Sequence, residues 1–161
     1  MAFLSFVQSK IAIIPGVSKN AYLCALKIEG KMFVYRHKVH YYETDRMGVT
    51  HHSNYIRIME EARVAYLDAI GASYARIEAE GVISPVMQVE GRFLHTTTFD
   101  DLLEVEVYVK SMTTFKLKLG YTIRCKGQEV FEGYTLHCFL DKEGKPRNLD
   151  EHYPQFRAQL A

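Results

Sequence analysis

Tryptophan is absent from this chain of 161 residues, and cysteine occurs only three times, at Cys24, Cys125 and Cys138. The three cysteines are scattered and form no Cys-x-x-Cys pair, so we expect reduced thiols and a cytoplasmic location. The chain also lacks an excess of one charge, since 20 Lys and Arg residues are balanced by 19 Asp and Glu residues. A nucleic-acid partner would require a strong basic excess and is therefore not expected.

Long hydrophobic runs are missing as well. The apolar stretches near the N-terminus are interrupted by polar residues and then by Pro15-Gly16, and neither approaches the roughly 18 residues of a spanning helix. No basic segment precedes them, as it would in a secretory signal. We therefore predict no integral membrane segment. We expect residues 1–31 to form an N-terminal extension that is poorly ordered or loosely packed, and residues 32–161 to form one domain.

The most informative stretch of the sequence is 41–55, which lies between a strand pattern and a helix pattern. Residues 33–42 alternate with period two, which predicts a half-buried strand. Apolar residues recur at three- and four-residue spacing over 54–70, which predicts an amphipathic helix. Ser53 or Asn54 is the expected N-cap, and Gly71 is the expected stop.

Between the two patterns lies a loop with an acid, Asp45, and a glycine, Gly48. An acid in this place can act as a nucleophile or a general base. The free N–H groups of the following helix can stabilise an oxyanion. From the residues alone, Asp45 is equally well explained as an Asx-turn or cap residue. Gly48 is expected to allow a positive φ or the close approach of a substrate.

The same stretch resembles a motif of the hotdog-fold acyl-CoA thioesterases of the 4-hydroxybenzoyl-CoA thioesterase family, including its Tol–Pal-associated branch. The resemblance covers about residues 32–157 and extends to the helical run 59–63. It implies an α+β hotdog fold, in which an antiparallel sheet wraps around one long central helix. It also implies a homodimer, often paired into a dimer of dimers, and no cofactor. The motif positions are Asp45, Gly48, Val49, His52, Asn54 and Tyr55.

The resemblance assigns Asp45 as the catalytic acid and gives His52 a supporting catalytic role. Glu60 is expected to reach a semi-buried position, whereas Glu61 is expected to be a solvated partner of Arg57. Adjacent histidines rarely bind one ion, so no metal site is predicted at His51 and His52. His37 and His40 are interpreted as ordinary strand residues. The predicted substrate contacts are Gly48, Val49, His51, Asn54, Tyr55 and Glu60.

The rest of the chain is dominated by strand patterns. Residues 82–96 predict a strand that is bent or bulged, because they contain Pro85 and Gly91. Further alternating segments predict strands over 103–110, 115–124 and 129–140, with a hairpin turn at Lys126-Gly127. Residues 72–80 are expected to form a short helix or a loop, and residues 149–160 a short helix or an irregular tail.

The sequence thus predicts a hydrolase that releases a carboxylic acid and free CoA from an acyl-CoA. Two alternatives remain open at this point: a thioesterase that acts on acyl-carrier protein, and a non-catalytic domain that binds acyl-CoA. A hotdog dehydratase is disfavoured, because it pairs a loop histidine with a helix glutamate, whereas here the acid lies in the loop. The acyl group, whether short aliphatic, benzoyl-type or naphthoyl-type, is not determined by the sequence.

Overall fold

The computed structural model describes residues 33–152 and 154–160. The predicted N-terminal extension, residues 1–31, lies outside the described residues. Within them a 3-10 turn at Tyr41–Glu43 separates the first strand from the first helix. The strands and helices are β1 (Phe33–Lys38), α1 (His52–Ala69), α2 (Tyr74–Ala79), β2 (Val86–Phe93), β3 (Leu102–Met112), β4 (Lys116–Cys125), β5 (Gln128–Cys138), α3 (Leu149–His152) and α4 (Pro154–Leu160).

The five strands form one sheet in the order β1-β3-β4-β5-β2, and every neighbouring pair is antiparallel. The turn between β4 and β5 consists of Lys126 and Gly127, with φ angles of 51° and 80°. Positive φ at both positions is the geometry of a two-residue type I′ hairpin, as predicted for this dipeptide. Strands β1 and β2 stand at the two ends of this order, so both are edge strands.

The core lies between α1 and the inner face of the sheet. Ile58, Met59 and Ala62 of α1 have no exposed surface, and their three- and four-residue spacing places them on one stripe. Every second residue of the central strands faces this stripe, including Leu103, Val105, Leu119, Tyr121 and Ile123. The predicted α+β architecture, a sheet wrapped around one long helix, is thereby confirmed.

Two predicted boundaries near the loop were wrong. Strand β1 ends at Lys38 and not at Tyr42, because residues 41–43 turn into a 3-10 helix and leave Tyr41 exposed. Helix α1 begins at His52, and its N-cap is His51 rather than Ser53 or Asn54. His51 takes this position because its backbone is extended and its ring nitrogen accepts the N–H of Ser53.

Three further features of the described residues concern strand β2, two of the cysteines and the helices. Strand β2 has an irregular register between Val86 and Gln88, as expected for a bulged strand. Cys125 and Cys138 are free thiols. None of the helices in residues 33–152 and 154–160 combines the length and the apolar character that crossing a membrane requires.

The packing of α1 predicts that two isoleucines two positions apart will differ in their effect on stability. Ile58 is fully buried, whereas the side chain of Ile56 is 48% exposed. We expect Ile58→Ala to lower the free energy of unfolding by about 2–5 kcal/mol, because it leaves a cavity against the sheet. Ile56→Ala is expected to change it by less than about 0.5 kcal/mol. Urea unfolding followed by circular dichroism measures both, and equal losses would contradict the packing described.

Candidate active site

The loop that carries the acid is closed by its own backbone. Thr44 and Thr50 form an isolated antiparallel bridge, and the N–H of Asp45 donates to the carbonyl of Val49 over 2.9 Å. The N–H of Gly48 donates back to the carbonyl of Asp45, also over 2.9 Å. Gly48 has a φ of 77°, so its predicted positive φ is confirmed. The loop is therefore a defined tight turn between β1 and α1.

The segment that precedes β3 supports this turn from one side. The N–H of Thr50 donates to the carbonyl of Thr97 over 2.7 Å, and the two threonine hydroxyls lie 2.6 Å apart. The hydroxyl of Tyr55, in the first turn of α1, is 2.9 Å from the same Thr97 hydroxyl. Val49 adds an isolated bridge to Thr98. The end of the turn and the start of the helix are thus fixed to one support.

Asp45 is half-buried in this turn. Its Oδ1 accepts the N–H of Met47 over 2.8 Å, which is an Asx-turn contact. The interpretation of Asp45 as an Asx-turn residue is therefore correct for one of its two carboxylate oxygens. The other oxygen, Oδ2, makes no hydrogen bond with the described residues, so this oxygen is available to a substrate or a water.

The first turn of α1 leaves one backbone donor available beside the loop. The N–H of His51 donates to the carbonyl of Glu43, and the N–H of Asn54 donates to the carbonyl of His51. The N–H of Ser53 is directed at the His51 ring. The N–H of His52 takes part in no hydrogen bond among the described residues. An unpaired donor at a helix N-terminus is suited to bind an anionic oxygen.

The two loop histidines have different environments. His51 is half-buried, and its Nδ1 lies 2.8 Å from the Ser53 hydroxyl, which supports its cap role. The side chain of His52 is exposed, with its ring centroid 4.1 Å from that of His51. The ring of His52 is therefore accessible to a ligand, whereas the ring of His51 is already bonded within the turn.

Asn54 and Tyr55 are both buried. The side-chain amide of Asn54 donates to the carbonyl of Glu43 over 2.7 Å, so Asn54 organises the loop as expected but is not the N-cap. The ring of Tyr55 stacks on Phe131 at 5.0 Å and meets the edge of Phe93 at 5.3 Å. Tyr55 thus joins the core at the point where the end of β2 approaches the start of α1.

The expected position of Glu60 and the expected partner of Glu61 were wrong. Glu60 is exposed and does not reach a semi-buried position. Glu61 accepts a hydrogen bond from the Tyr35 hydroxyl at 2.9 Å and contacts Nδ1 of His37 at 3.2 Å. It is not paired with Arg57 among the described residues. One residue along a helix rotates the side chain by about 100°, and this rotation places Glu61 rather than Glu60 over β1.

Sequence reasoning also missed a buried polar cluster beneath the loop. Nε2 of His37 lies 2.9 Å and 3.1 Å from the two carboxylate oxygens of Glu43, and both residues are buried. The Glu43 carboxylate also accepts the backbone N–H of His40 over 2.7 Å. A signal was present in the sequence, because the period-two pattern of β1 places His37 on the inward face.

Nearby carboxylates determine the charge of this histidine. Burial lowers the pKa of His37, but the hydrogen bonds to Glu61 and Glu43 outweigh this effect and hold the pKa above its ordinary value of 6.5. The hydrogen bond from His37 in turn lowers the pKa of Glu61. Each ring nitrogen of His37 faces a carboxylate, Nε2 that of Glu43 and Nδ1 that of Glu61.

The histidine cluster has the residue types of a metal site, but both ring nitrogens of His37 already face carboxylates. Ligand atoms of His37, His40 and Glu43 lie within 4.8 Å of one another. A histidine with both nitrogens protonated offers no lone pair to an ion. We therefore assign the cluster to ion pairing and hydrogen bonding, and assign no metal or cofactor to it.

The loop offers a carboxylate oxygen without a hydrogen bond, and the start of α1 offers an unpaired backbone N–H. Together these two groups suit acyl transfer. The architecture is that of the hotdog fold. A solved structure of DHNA-CoA thioesterase from Staphylococcus aureus superposes with a TM-score of 0.77 at 28% identity, over 81% of this chain and 89% of that chain.

The sequence comparisons agree with this class. The sequence profile of the Thioesterase-like superfamily matches residues 39–160. An Aquifex aeolicus protein provisionally named an esterase is 32% identical over 113 residues, which are 70% of this chain and 88% of that protein. A Bacillus subtilis protein provisionally named acyl-CoA thioesterase YneP is 30% identical over 121 residues, 74% of this chain and 88% of that protein. The chain belongs to the Thioesterase-like superfamily and is a thioester hydrolase.

The backbone of Gly48 provides a test of the turn. Gly48 and Gly127 have φ angles of 77° and 80°, and a Cβ on either would meet no atom within 4 Å. Alanine at either position is expected to cost about 1–2 kcal/mol of stability, since only the backbone conformation is unfavourable. We expect only Gly48→Ala to lower thioester hydrolysis as well, because only this glycine shapes the acid turn. Thermal unfolding and a thiol-release assay on both variants measure the difference, and equal activities would contradict the placement of the site.

Proposed function

We propose that this chain hydrolyses acyl-CoA thioesters to a carboxylic acid and free CoA, with Asp45 as nucleophile or general base. The observation that supports this proposal is the presence of two groups with no hydrogen bond among the described residues, one in the acid loop and one at the start of the following helix. These groups are Oδ2 of the half-buried Asp45 and the N–H of His52 at the start of α1. The carboxylate attacks or activates water, and the N–H stabilises the negative oxygen that develops on the thioester carbonyl.

Two routes are compatible with an acid in this position. In the first, Oδ2 of Asp45 attacks the thioester carbonyl, the CoA thiolate leaves, and water then cleaves the resulting mixed anhydride. In the second, the carboxylate takes a proton from a water that attacks the same carbonyl. Both routes pass through a tetrahedral oxyanion, so both use the helix N-terminus. Neither requires a cofactor or a redox step.

The remaining motif residues have roles that follow from their environments. The exposed ring of His52 orients the attacking water or donates to the carbonyl. Gly48 and Val49 shape the turn beside the scissile bond, and His51 caps the helix. Asn54 and Tyr55 hold the turn and form the buried wall behind the acyl group. Glu60 is exposed, so a substrate contact from it involves the outer part of the ligand.

The CoA carrier is proposed from the relatives. The Bacillus subtilis relative and the Staphylococcus aureus structure are both named as thioesterases that act on a CoA thioester. The proposed acyl group is short aliphatic, benzoyl-type or naphthoyl-type. The naphthoyl type is supported by the name of the Staphylococcus aureus enzyme, in which DHNA stands for dihydroxynaphthoyl. Membership of the 4-hydroxybenzoyl-CoA or Tol–Pal-associated branch and a cytoplasmic location stay predictions from the sequence.

Asp45→Asn tests the chemistry directly. The amide keeps the Asx-turn contact to Met47 but cannot act as a carboxylate nucleophile or base. We expect kcat for the best acyl-CoA of a panel to fall roughly 10²–10⁴-fold, with the fold and acyl-CoA binding retained. Asp68→Asn, an exposed aspartate on α1, is the matched control and should keep its rate. Thiol release measures all three proteins.

The outcomes of this experiment separate the alternatives. Equal rates for wild type and Asp45→Asn would remove Asp45 from the mechanism. Binding of acyl-CoA without turnover by the wild type would support the non-catalytic binding domain. Turnover restricted to acyl groups carried on acyl-carrier protein would replace the carrier but keep the chemistry.

We also propose that β2 pairs with β2 of a second copy of this chain. All eight residues of β2 are exposed, and β2 is an edge of the sheet, with one row of backbone groups unpaired. Its exposed side chains include Val86, Met87, Val89 and Phe93. Natural proteins rarely leave a long apolar edge strand open. Pairing of one antiparallel edge with its own copy gives a closed two-fold contact.

This contact would place the second copy beside the candidate site. Phe93, at the end of β2, meets the ring of Tyr55 in the first turn of α1 at 5.3 Å. The sheet of the second copy would therefore lie next to the residues that form the wall behind the acyl group. A dimer of dimers built from such pairs stays a prediction.

Val89→Lys tests the edge contact. Val89 is 40% exposed on β2, and Phe115, in the bend just before β4, is 45% exposed. We expect light scattering to give an oligomer for wild type and for the control Phe115→Lys. Val89→Lys should shift the mass towards the monomer and reduce thioester hydrolysis, because a buried lysine in the paired edge is unfavourable. A monomeric, fully active wild-type protein would contradict the proposed contact.

A further inference from the structure

We propose that His37, buried between the carboxylates of Glu43 and Glu61, is a positioning residue for the Asp45 turn and the first turn of α1. This inference rests on the proposed function, since the turn matters for catalysis only if Asp45 does. His37 lies on β1, Glu43 on the 3-10 turn, and Glu61 in the middle of α1. The imidazole thus joins the three elements that surround the acid loop.

The contacts account for both ring nitrogens. Nε2 is 2.9 Å from Oε2 and 3.1 Å from Oε1 of Glu43, and Nδ1 is 3.2 Å from Oε2 of Glu61. A neutral imidazole carries one N–H and one lone pair, so it can satisfy only one of these carboxylates. The other carboxylate would then face a lone pair. The protonated ring satisfies both, and it carries the positive charge that offsets the buried Glu43.

Burial gives this contact its rigidity. The side chains of His37 and Glu43 are only 5% and 7% exposed, whereas that of Glu61 is 50% exposed. The strong constraint therefore lies on the Glu43 side, and Glu61 is the solvent-facing partner that tunes the charge of the ring. The Tyr35 hydroxyl donates to Glu61 over 2.9 Å and holds this carboxylate towards β1.

The backbone of Glu43 is hydrogen-bonded to the segment that carries one of the reacting groups. Its backbone carbonyl accepts two hydrogen bonds, from the N–H of His51 over 2.8 Å and from the side-chain amide of Asn54 over 2.7 Å. Both donors belong to the start of α1, where the unpaired N–H of His52 lies. Asp45 follows Glu43 by two residues. A shift of Glu43 would therefore move the acid and the oxyanion donor relative to each other.

The surroundings of His37 contain few other charges. His40 is the nearest, with its ring centroid 5.5 Å away and its Nδ1 3.3 Å from Oε2 of Glu43. The neighbour of His37 on β3 is the apolar Leu103. Tyr35 contacts this cluster through the hydrogen bond that its hydroxyl donates to Glu61. Among the described residues, Glu43 and Glu61 are thus the groups that favour the charged ring.

The proposal predicts a particular pH dependence. The charged ring is favoured in the native protein, so its contribution is complete below the ordinary imidazole pKa of 6.5 and is lost as the pH rises through the raised pKa. We therefore expect kcat to fall on the alkaline side as His37 loses its proton. In Glu61→Gln the ring loses one favourable carboxylate, so the alkaline limb should shift to lower pH, with kcat at the acidic plateau within about threefold of wild type.

The experiment follows thiol release and NMR over pH in the full chain. His37→Gln is expected to lower kcat roughly 10- to 100-fold with little change in KM, because binding contacts remain while the reacting groups shift. The control is Glu78→Gln, at an exposed residue of α2, which should follow the wild-type profile. The NMR titration should show His37 protonated on both nitrogens, with a pKa above 6.5 that falls in Glu61→Gln. The backbone amide signals of His51 and Asn54 should titrate with it.

The outcomes are distinguishable from failure of the proposed function. If wild type hydrolyses no thioester, or Asp45→Asn hydrolyses as well as wild type, the proposed function fails. The amide signals of His51 and Asn54 still test the positioning role. If His37 titrates at or below 6.5, or if the two amides do not follow it, the positioning role is overturned. If His37→Gln does not fold, Glu61→Gln decides, and an unshifted alkaline limb in that variant overturns the proposal.

Discussion

The backbone carbonyl of Glu43 is the acceptor on which the candidate site depends. It receives the N–H of His51 and the side-chain amide of Asn54, and so it fixes the origin of α1 relative to the end of β1. A carbonyl can play this role only if its own residue is immobile. Glu43 is immobile because its carboxylate is buried and bonded to the backbone N–H of His40 and to the ring of His37. Local capping and an ion pair with the preceding strand therefore act on one residue.

Burying the charges of His37 and Glu43 carries a cost in free energy. An ion pair of this kind is weak evidence for stability, because desolvation offsets much of its attraction. An apolar pair would fill the same space between β1 and the loop. It would not fix the direction of the Glu43 carbonyl, however, because apolar contacts are not directional. The polar cluster is thus better understood as a device for geometry than as a source of stability.

The sequence predicted the fold well because its signals are local and periodic. The alternation in β3, β4 and β5, the turn at Lys126-Gly127 and the apolar stripe of α1 each fix an element without reference to the rest of the chain. The motif from Asp45 to Tyr55 likewise identified the loop. The environments were harder to predict. Whether Glu60 or Glu61 faces β1 depends on the rotation of α1 against the sheet, and a stripe of apolar residues defines this rotation too coarsely to separate adjacent positions.

The contacts between His37 and Glu43 could not be predicted from the sequence either, because they also depend on packing. Period two places His37 on the inward face of β1, but it does not indicate which carboxylates approach from the 3-10 turn and from α1. The turn itself ended the strand at Lys38, four residues before the alternation ended, because the Glu43 carboxylate captures the N–H of His40. A side chain thus competes successfully with strand pairing for a backbone donor. This local exchange shortens β1, brings Glu43 beneath the loop, and places Asp45 two residues further on, in the half-buried turn before α1.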